Sequence, residues 1–368
     1  MNHYLWIILH LTFLINLTGQ SKPNVDQSLT PDPFFSSQTI DLIFEKAAQL
    51  PEDTQVSIGL VKNDSVHYLG IRRIKDTLLM CDLSKAIFEI GSITKVFTST
   101  LLAEFVLNNG LHLNDNINDY LPFELNKDQR IAFIQLANHT SGLPRMPTNL
   151  DLSKVNPNNP YESYGEEELT LYLSGQMELS TPPGKKYVYS NLGVGLMGYL
   201  LSSVAHTSYE NLLQTKIFNK YGMVHSTTIQ GKVQDQLIRG INDQSEIVSN
   251  WDMNVLQGAG GILSSVEDLT KFARAQFDTE NKALALTRTS THQVSDQMRQ
   301  GLGWGILIRK EDSAWYWHNG GTGGYTSSMI VDVKNRNSVV VLSNLSAFSK
   351  RTDAIGELSH ELMVLLSK

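Results

Sequence analysis

Ser92 and Lys95 lie three residues apart in the apolar run FEIGSITKVFTSTLLAEF, residues 88–105. In a helix that begins near Ser92 these positions share a face, so Lys95 Nζ can reach Ser92 Oγ. A serine hydroxyl is a poor nucleophile until a neighbour takes its proton. A lysine can take it, or hold another base in place, if desolvation or nearby positive charge lowers its pKa from about 10.4. A helix N-terminus adds N–H groups and a positive dipole end beside the attacking oxygen. Alone the pair is a weak signal, because an exposed serine beside a lysine reaching for water has the same spacing.

Two further stretches carry matching chemistry. TPPGKKYVYSNLG places Tyr189, Ser190 and Asn191 in a loop after a Pro-Pro-Gly break. A tyrosine there can relay a proton if adjacent cations lower its pKa from about 10, and an asparagine can donate to a substrate carbonyl. WYWHNGGTGGY places His318, Asn319, Gly320 and Gly321 at the end of an alternating segment, expected to be an edge strand. Glycines there let a substrate backbone lie close, and a free strand edge can pair with a peptide-like ligand. Trp315 and Trp317 flank the histidine, and either wall the site or pack the sheet.

The three boxes in this order resemble the serine β-lactamase and penicillin-binding protein superfamily. A tyrosine in the second box is similar to class C β-lactamases and their DD-peptidase relatives. The resemblance runs from about Ile40 to the C-terminus and includes LANHTSGLP (136–144) and GAGGILSSVEDLTKF (258–272). It implies Ser92 as the acylated nucleophile, Lys95 as its partner, Tyr189 as general base and acid, and Asn191 as a substrate-amide contact. His318, Asn319 and Gly320 fall in the third box, and the N–H groups of Ser92 and Gly321 form the oxyanion hole. It further implies hydrolysis of a β-lactam or an acyl-D-alanyl-D-alanine peptide through an acyl-enzyme, without metal or other cofactor, by a bacterial enzyme. The alternatives are an esterase or D-aminopeptidase on the same scaffold, or a non-catalytic penicillin-binding sensor. One departure stands out: class C enzymes usually carry Lys-Thr-Gly in the third box, and His-Asn-Gly here is similar to some DD-carboxypeptidases and esterases. As a cation, His318 would orient a substrate carboxylate; with a pKa near 6.5 it is largely neutral at pH 7 unless a carboxylate holds its proton.

The elements that must position these residues are legible in outline. Apolar residues at 40, 43, 44 and 47 have helical spacing. QVSIGLVKNDSVHYLGI alternates on both sides of Lys62-Asn63-Asp64, a hairpin signal, and SSMIVDV and SVVVLSN flank a second polar turn. Asp353–Leu366 reads as a closing amphipathic helix. Between these ends the pattern is mainly helical: LLAEFVLNNG ends at a glycine suited to a helix C-terminus, and SVEDLTKFARAQF opens with a serine and an acidic turn. The expected fold is α+β, one antiparallel sheet built from both chain ends (38–87 and 286–368) and flanked by terminal helices. A mainly helical domain, 88–285, is inserted, with the site at the interface.

Composition narrows the function classes. The chain has 368 residues, 41% hydrophobic and 18% charged, with a formal net charge of −7, which disfavours nucleic acid or an anionic membrane as partner. No basic run appears, so the expected partner is a small-molecule or peptide substrate, met by a monomer without a stable membrane anchor. Residues 1–21 contain no Lys, Arg, Asp or Glu, and an apolar stretch ends at Gly19-Gln20-Ser21. That reads as a secretory signal peptide, hence a periplasmic or secreted protein, with an uncleaved anchor as the alternative. Residues 22–37, with three prolines, read as a linker. Cys81 is the lone cysteine, so no intramolecular disulfide forms, and a structural thiol is expected. Gly193 to Gly198 fits G-x-G-x-x-G, but no strand precedes it and the run reads as a close-packed helix. His139 is expected to be satisfied by backbone rather than to bind a metal.

Overall fold

The computed structural model describes residues 24–26, 32–108, 110–309 and 313–368. The expected signal peptide lies outside the described residues. Twelve strands are described: β1 (Asn24–Asp26), β2 (Gln55–Lys62), β3 (Ser65–Ile74), β4 (Thr77–Cys81), β5 (Phe88–Glu89), β6 (Leu263–Ser264), β7 (His292–Gln293), β8 (Met298–Gln300), β9 (Gly305–Ile308), β10 (Ala314–Gly321), β11 (Thr326–Asp332) and β12 (Asn337–Ser343). Ten of them form one sheet in the order β1-β4-β3-β2-β12-β11-β10-β9-β8-β7, antiparallel except for the parallel β1–β4 pair. The two chain ends meet where β2 pairs with β12, Val56 opposite Ser343 through Lys62 opposite Asn337.

Local chemistry explains both hairpins. Asn63 and Asp64 take positive φ values of 50° and 70°, as a two-residue turn between right-twisted strands requires. At the second turn Asp332 Oδ1 accepts from Asn335 N at 3.0 Å and fixes the chain reversal into β12. One face of the sheet is covered by the terminal helices Ser37–Ala47 and Asp353–Leu366, which bury Ile43, Phe44, Leu358 and Leu362 against Ile58, Val339 and Val341. Lys46 ties the two helices through Glu357 and Glu361. The first helix starts earlier than its apolar spacing suggests because Ser36 caps it, accepting from Thr39 N at 3.2 Å. The other face of the sheet carries the larger core, including Phe97, Leu101, Phe272 and Trp304.

The stretch expected to be a linker is partly structured. Asn24–Asp26 pairs with β4, Phe35 is buried against the terminal-helix face, and Phe34 stacks on His67 at 3.7 Å. The adjacent Phe34-Phe35 pair is apolar surface that the terminal-helix face of the sheet and the His67 ring remove in part from water, and it outweighs the proline-rich composition around it. Cys81 is half-buried on β4, and burial raises its thiol pKa, so it rests as the inert thiol. Among the described residues no helix is long and apolar enough to cross a membrane.

β10 corrects the edge-strand expectation in part. Residues Ala314–Trp317 pair with β9, so this half lies inside the sheet, while the pairing with β9 stops at Trp317. On its other side β10 pairs with β11 as far as Gly321. The short β9 ends first and leaves 318–321 open on that side.

Candidate active site

The turn that carries Ser92 is built around a glycine. Gly91–Ile93 forms a turn of 3₁₀-helix that runs directly into the helix Thr94–Asn108. Gly91 has φ +50°, and a Cβ there would stand 2.5 Å from Gly321 N. A Cβ on Gly320 would collide with the Ile90 carbonyl oxygen and Ser327 Oγ. Ser327 Oγ already donates to that carbonyl at 2.8 Å. These two glycines let the open end of β10 lie against the turn that carries Ser92.

Lys95 is fully buried, at 0% exposure, and its Nζ lies within hydrogen-bond distance of three oxygens: Ser92 Oγ at 3.1 Å, Asn191 Oδ1 at 2.8 Å and Ala259 O at 2.7 Å. Burial, with the Arg145 guanidinium second, holds its pKa well below the ordinary lysine value. A neutral amine has two N–H bonds and one lone pair. Asn191 Oδ1 and Ala259 O can only accept, so they take the two N–H bonds and the lone pair falls to the Ser92 hydroxyl.

The carbonyl of Ala259 reaches Lys95 because of the glycine run in the helix Asn191–Val204. Added Cβ atoms at Gly195 and Gly198 would stand 2.7 Å from Leu256 Cδ2 and 2.9 Å from Gly258 Cα. The run is therefore a packing face for the 254–259 segment, as its helical reading implies. Thr98 Oγ1 donates to Gly258 O at 2.7 Å and pins the same segment to the helix Thr94–Asn108.

Tyr189 ends the loop before that helix, whose N-cap is Ser190, accepting from Gly193 N at 2.9 Å. Ser92 is close enough to influence the Tyr189 hydroxyl, and Lys95 Nζ and the Arg145 guanidinium lie 5.0 and 5.1 Å from its ring centre. Even so, burial raises its pKa to about 12, so the condition that adjacent cations bring it below its ordinary value is not met. Desolvation of the phenolate outweighs the influence of the Arg145 guanidinium, which belongs to an exposed residue.

His139 supports this loop. Its Nδ1 accepts from Ser190 N at 3.2 Å while its buried Nε2 has no hydrogen-bond partner, so the backbone satisfies it only in part, and its ring packs on Tyr189 at 4.4 Å. Its φ of +61° brings the ring inward. Ser190 Oγ donates to Pro144 O at 2.7 Å, and Asn191 N donates to Arg145 O at 2.9 Å. The LPR turn after His139 is thereby clamped to the second box, and it sets Arg145 at the mouth of the site.

His318 departs from the cationic alternative. It is 6% exposed, and burial followed by the Lys95 charge lowers its pKa to about 3. Its Nδ1–H donates to Asn319 O at 2.6 Å, which leaves Nε2 as an acceptor. The strand pleat sends Tyr316, His318 and Gly320 to the Ser92 face. Asn319 points with Trp315 and Trp317 to the other face, so its side chain leaves the site and only its carbonyl takes part. The two tryptophans pack the sheet; Trp315 Nε1 donates to Asp332 Oδ2 at 3.2 Å.

The structure therefore brings together Ser92, Lys95, Tyr189, Asn191, His318, Gly320 and Gly321. It adds Arg145, Ala259 and Tyr161, whose hydroxyl accepts from Asn191 Nδ2 at 3.4 Å. Tyr161 lies in a loop without periodicity, and Ala259 acts through its carbonyl, so neither leaves a side-chain signature in the sequence.

The Beta-lactamase family model matches residues 56–361. The chain belongs to the beta-lactamase family. It is 26% identical over 329 residues to Protein flp of Staphylococcus aureus (strain MRSA252), covering 85% of this chain and 64% of that protein. It is 26% identical over 275 residues to a beta-lactamase of Pseudomonas fluorescens, covering 73% of each chain. Among solved structures, the beta-lactamase/D-alanine carboxypeptidase of Yersinia pestis in complex with citrate superposes with a TM-score of 0.74 at 22% identity, covering 92% of this chain and 100% of that one. The chain spans about two thirds of the length of the flp proteins that it matches. The family member described here shares the fold of that carboxypeptidase-type structure, an antiparallel sheet with helices.

Proposed function

We propose that this protein is an exported bacterial serine hydrolase that works, as a monomer, through an acyl-enzyme on Ser92. Its substrate is a β-lactam or an acyl-D-alanyl-D-alanine peptide. One observation carries the reading: buried Lys95 is held by two obligate acceptors with its third position on Ser92 Oγ. The names of the relatives and the apolar N-terminal stretch support substrate class and export respectively.

The arrangement divides the proton work differently from the family assignment. Lys95, neutral at rest, takes the Ser92 proton as Oγ attacks the carbonyl carbon, and the oxyanion is met by the N–H groups of Ser92 and Gly321. Tyr189, a phenol at rest, gives its proton to the leaving nitrogen or oxygen, and the lysinium stabilises the phenolate that forms. In the second half that phenolate takes a proton from water, hydroxide displaces Ser92 Oγ, and Lys95 returns the serine proton.

Neutral His318 favours a second reading, an esterase, because it offers no fixed charge to a substrate carboxylate. Steady-state hydrolysis of a chromogenic cephalosporin, an acyl-D-Ala-D-Ala tripeptide and a short-chain ester decides between them. Turnover of the first or second supports the proposal, and turnover of the ester alone replaces it with the esterase. Stoichiometric acylation without turnover overturns both in favour of a sensor.

A further inference from the structure

Glu89 stands three residues before Ser92 on β5 and is 4% exposed. Its Oε1 accepts from Asn250 Nδ2 at 2.7 Å and from Trp251 N at 2.8 Å. Asn250 Nδ2 also donates to Tyr325 OH at 2.9 Å. Its Oε2 is buried and has no partner, and so are Thr322 Oγ1 and Trp251 Nε1. Thr322 is close enough to act on the carboxyl, and it directly follows Gly321. Its backbone closes the turn after β10, with N donating to Tyr325 O at 2.9 Å and O accepting from Ala347 N at 3.1 Å.

We propose that Glu89 is a positioning residue that holds the Ser92 turn, the Trp251 loop and the Thr322 turn at fixed spacing. The inference rests on the reading of Ser92 N and Gly321 N as the oxyanion hole, since those are the atoms whose separation it sets. Asn250, Trp251, Thr322 and Tyr325, which surround the carboxyl, are all uncharged at neutral pH. A carboxylate in such a place keeps its charge on a desolvated Oε2 with no cation to neutralise it and at most the Thr322 hydroxyl to donate to it, a costly arrangement. Burial raises its pKa, in keeping with that. As a neutral acid, Glu89 instead donates Oε2–H to Thr322 Oγ1, and one hydrogen bond satisfies both orphaned atoms. The acid then bridges the chain on either side of the developing oxyanion, where a displacement of an ångström costs on the order of 100-fold in rate.

The test compares Glu89→Gln, Glu89→Ala and Thr322→Val in the full chain. Glutamine reproduces the neutral acid, with its oxygen toward Trp251 N and its amide toward Thr322, and should keep kcat within about threefold. Glu89→Ala should lower kcat about 10- to 100-fold with little change in KM, and weaken phenylboronic acid, whose tetrahedral adduct on Ser92 fills the oxyanion hole, by a similar factor. Thr322→Val should move both readouts in the same direction, and it carries the test if the alanine variant does not fold. An infrared band of a protonated carboxyl at pH 7, absent from Glu89→Gln, should be present in the wild type.

Wild-type kcat and boronate affinity in folded Glu89→Ala or Thr322→Val would overturn the inference. So would a glutamine variant as impaired as alanine, or absence of the infrared band. A wild type that neither hydrolyses any ester or lactam nor binds boronate would instead remove the Ser92 reading. In that case the infrared band still decides the state of Glu89.

Discussion

Lys95 Nζ lies 2.8 Å from Asn191 Oδ1, so the asparagine of the second box holds the lysine of the first. Removing that acceptor frees the amine to rotate away from Ser92. Asn191→Ala should lower kcat by about 10- to 100-fold, with a smaller change in KM, measured on the best ester or lactam substrate.

In the proposed mechanism Lys95 and Tyr189 pass protons in one cycle, so their losses should not add. Lys95→Ala and Tyr189→Phe should each cut acylation by about 10²- to 10⁴-fold, and the double variant should be little worse than the poorer single one. Single-turnover acylation rates of the four proteins test this, and additive free energies would place the two groups in separate roles.

The pH profile follows from the two shifted groups. In the proposed mechanism Lys95 acts unprotonated, so kcat/KM should rise with pH along one acid limb set below the ordinary lysine value. Tyr189 donates as a phenol, and with its pKa at about 12 no descending limb should appear below about pH 10. His318, at about 3, should leave no inflection near neutrality. A rate profile from pH 5 to 10 on a substrate without titrating groups checks all three.

Stability carries the same signature. Between the lowered folded pKa of Lys95 and its unfolded value near 10.4, the unfolded chain binds the extra proton, so stability rises with pH across that window. Lys95→Met should lack this slope. Urea midpoints at pH 7 and pH 9, compared between the two proteins, measure it.

Much of this site was legible before the structure because its parts are local. Ser92 and Lys95 meet within one helical turn, and the Lys62–Ser65 hairpin and the Asp353–Leu366 helix follow from spacing and turn chemistry alone. The protonation states were not legible. Tyr189, Lys95 and His318 are shifted mainly by burial, which is supplied by segments far away in sequence, among them the 254–259 turn that packs on the glycine face. The half-open β10 depends on where the short β9 stops, and the strand β1 and buried Phe35 depend on partners at the sheet that composition does not reveal.

Gly320 tests the close approach of β10 and the Ser92 turn. Gly320→Ala sets a methyl group against Ile90 O and Ser327 Oγ, so it should cost about 1–3 kcal/mol of stability and lower kcat by pushing Gly321 away from Ser92. Denaturation midpoints and kinetics on the same preparation check the pairing of the two effects.

The central claim is that Ser92 becomes acylated. Intact-mass measurement after mixing with a penicillin tests it most directly, followed by peptide mapping of any adduct. The account predicts a single penicilloyl adduct on Ser92 that decays with time in the wild type and is absent from Ser92→Ala. An adduct of equal yield on Ser92→Ala, or one mapped to another residue, would contradict it.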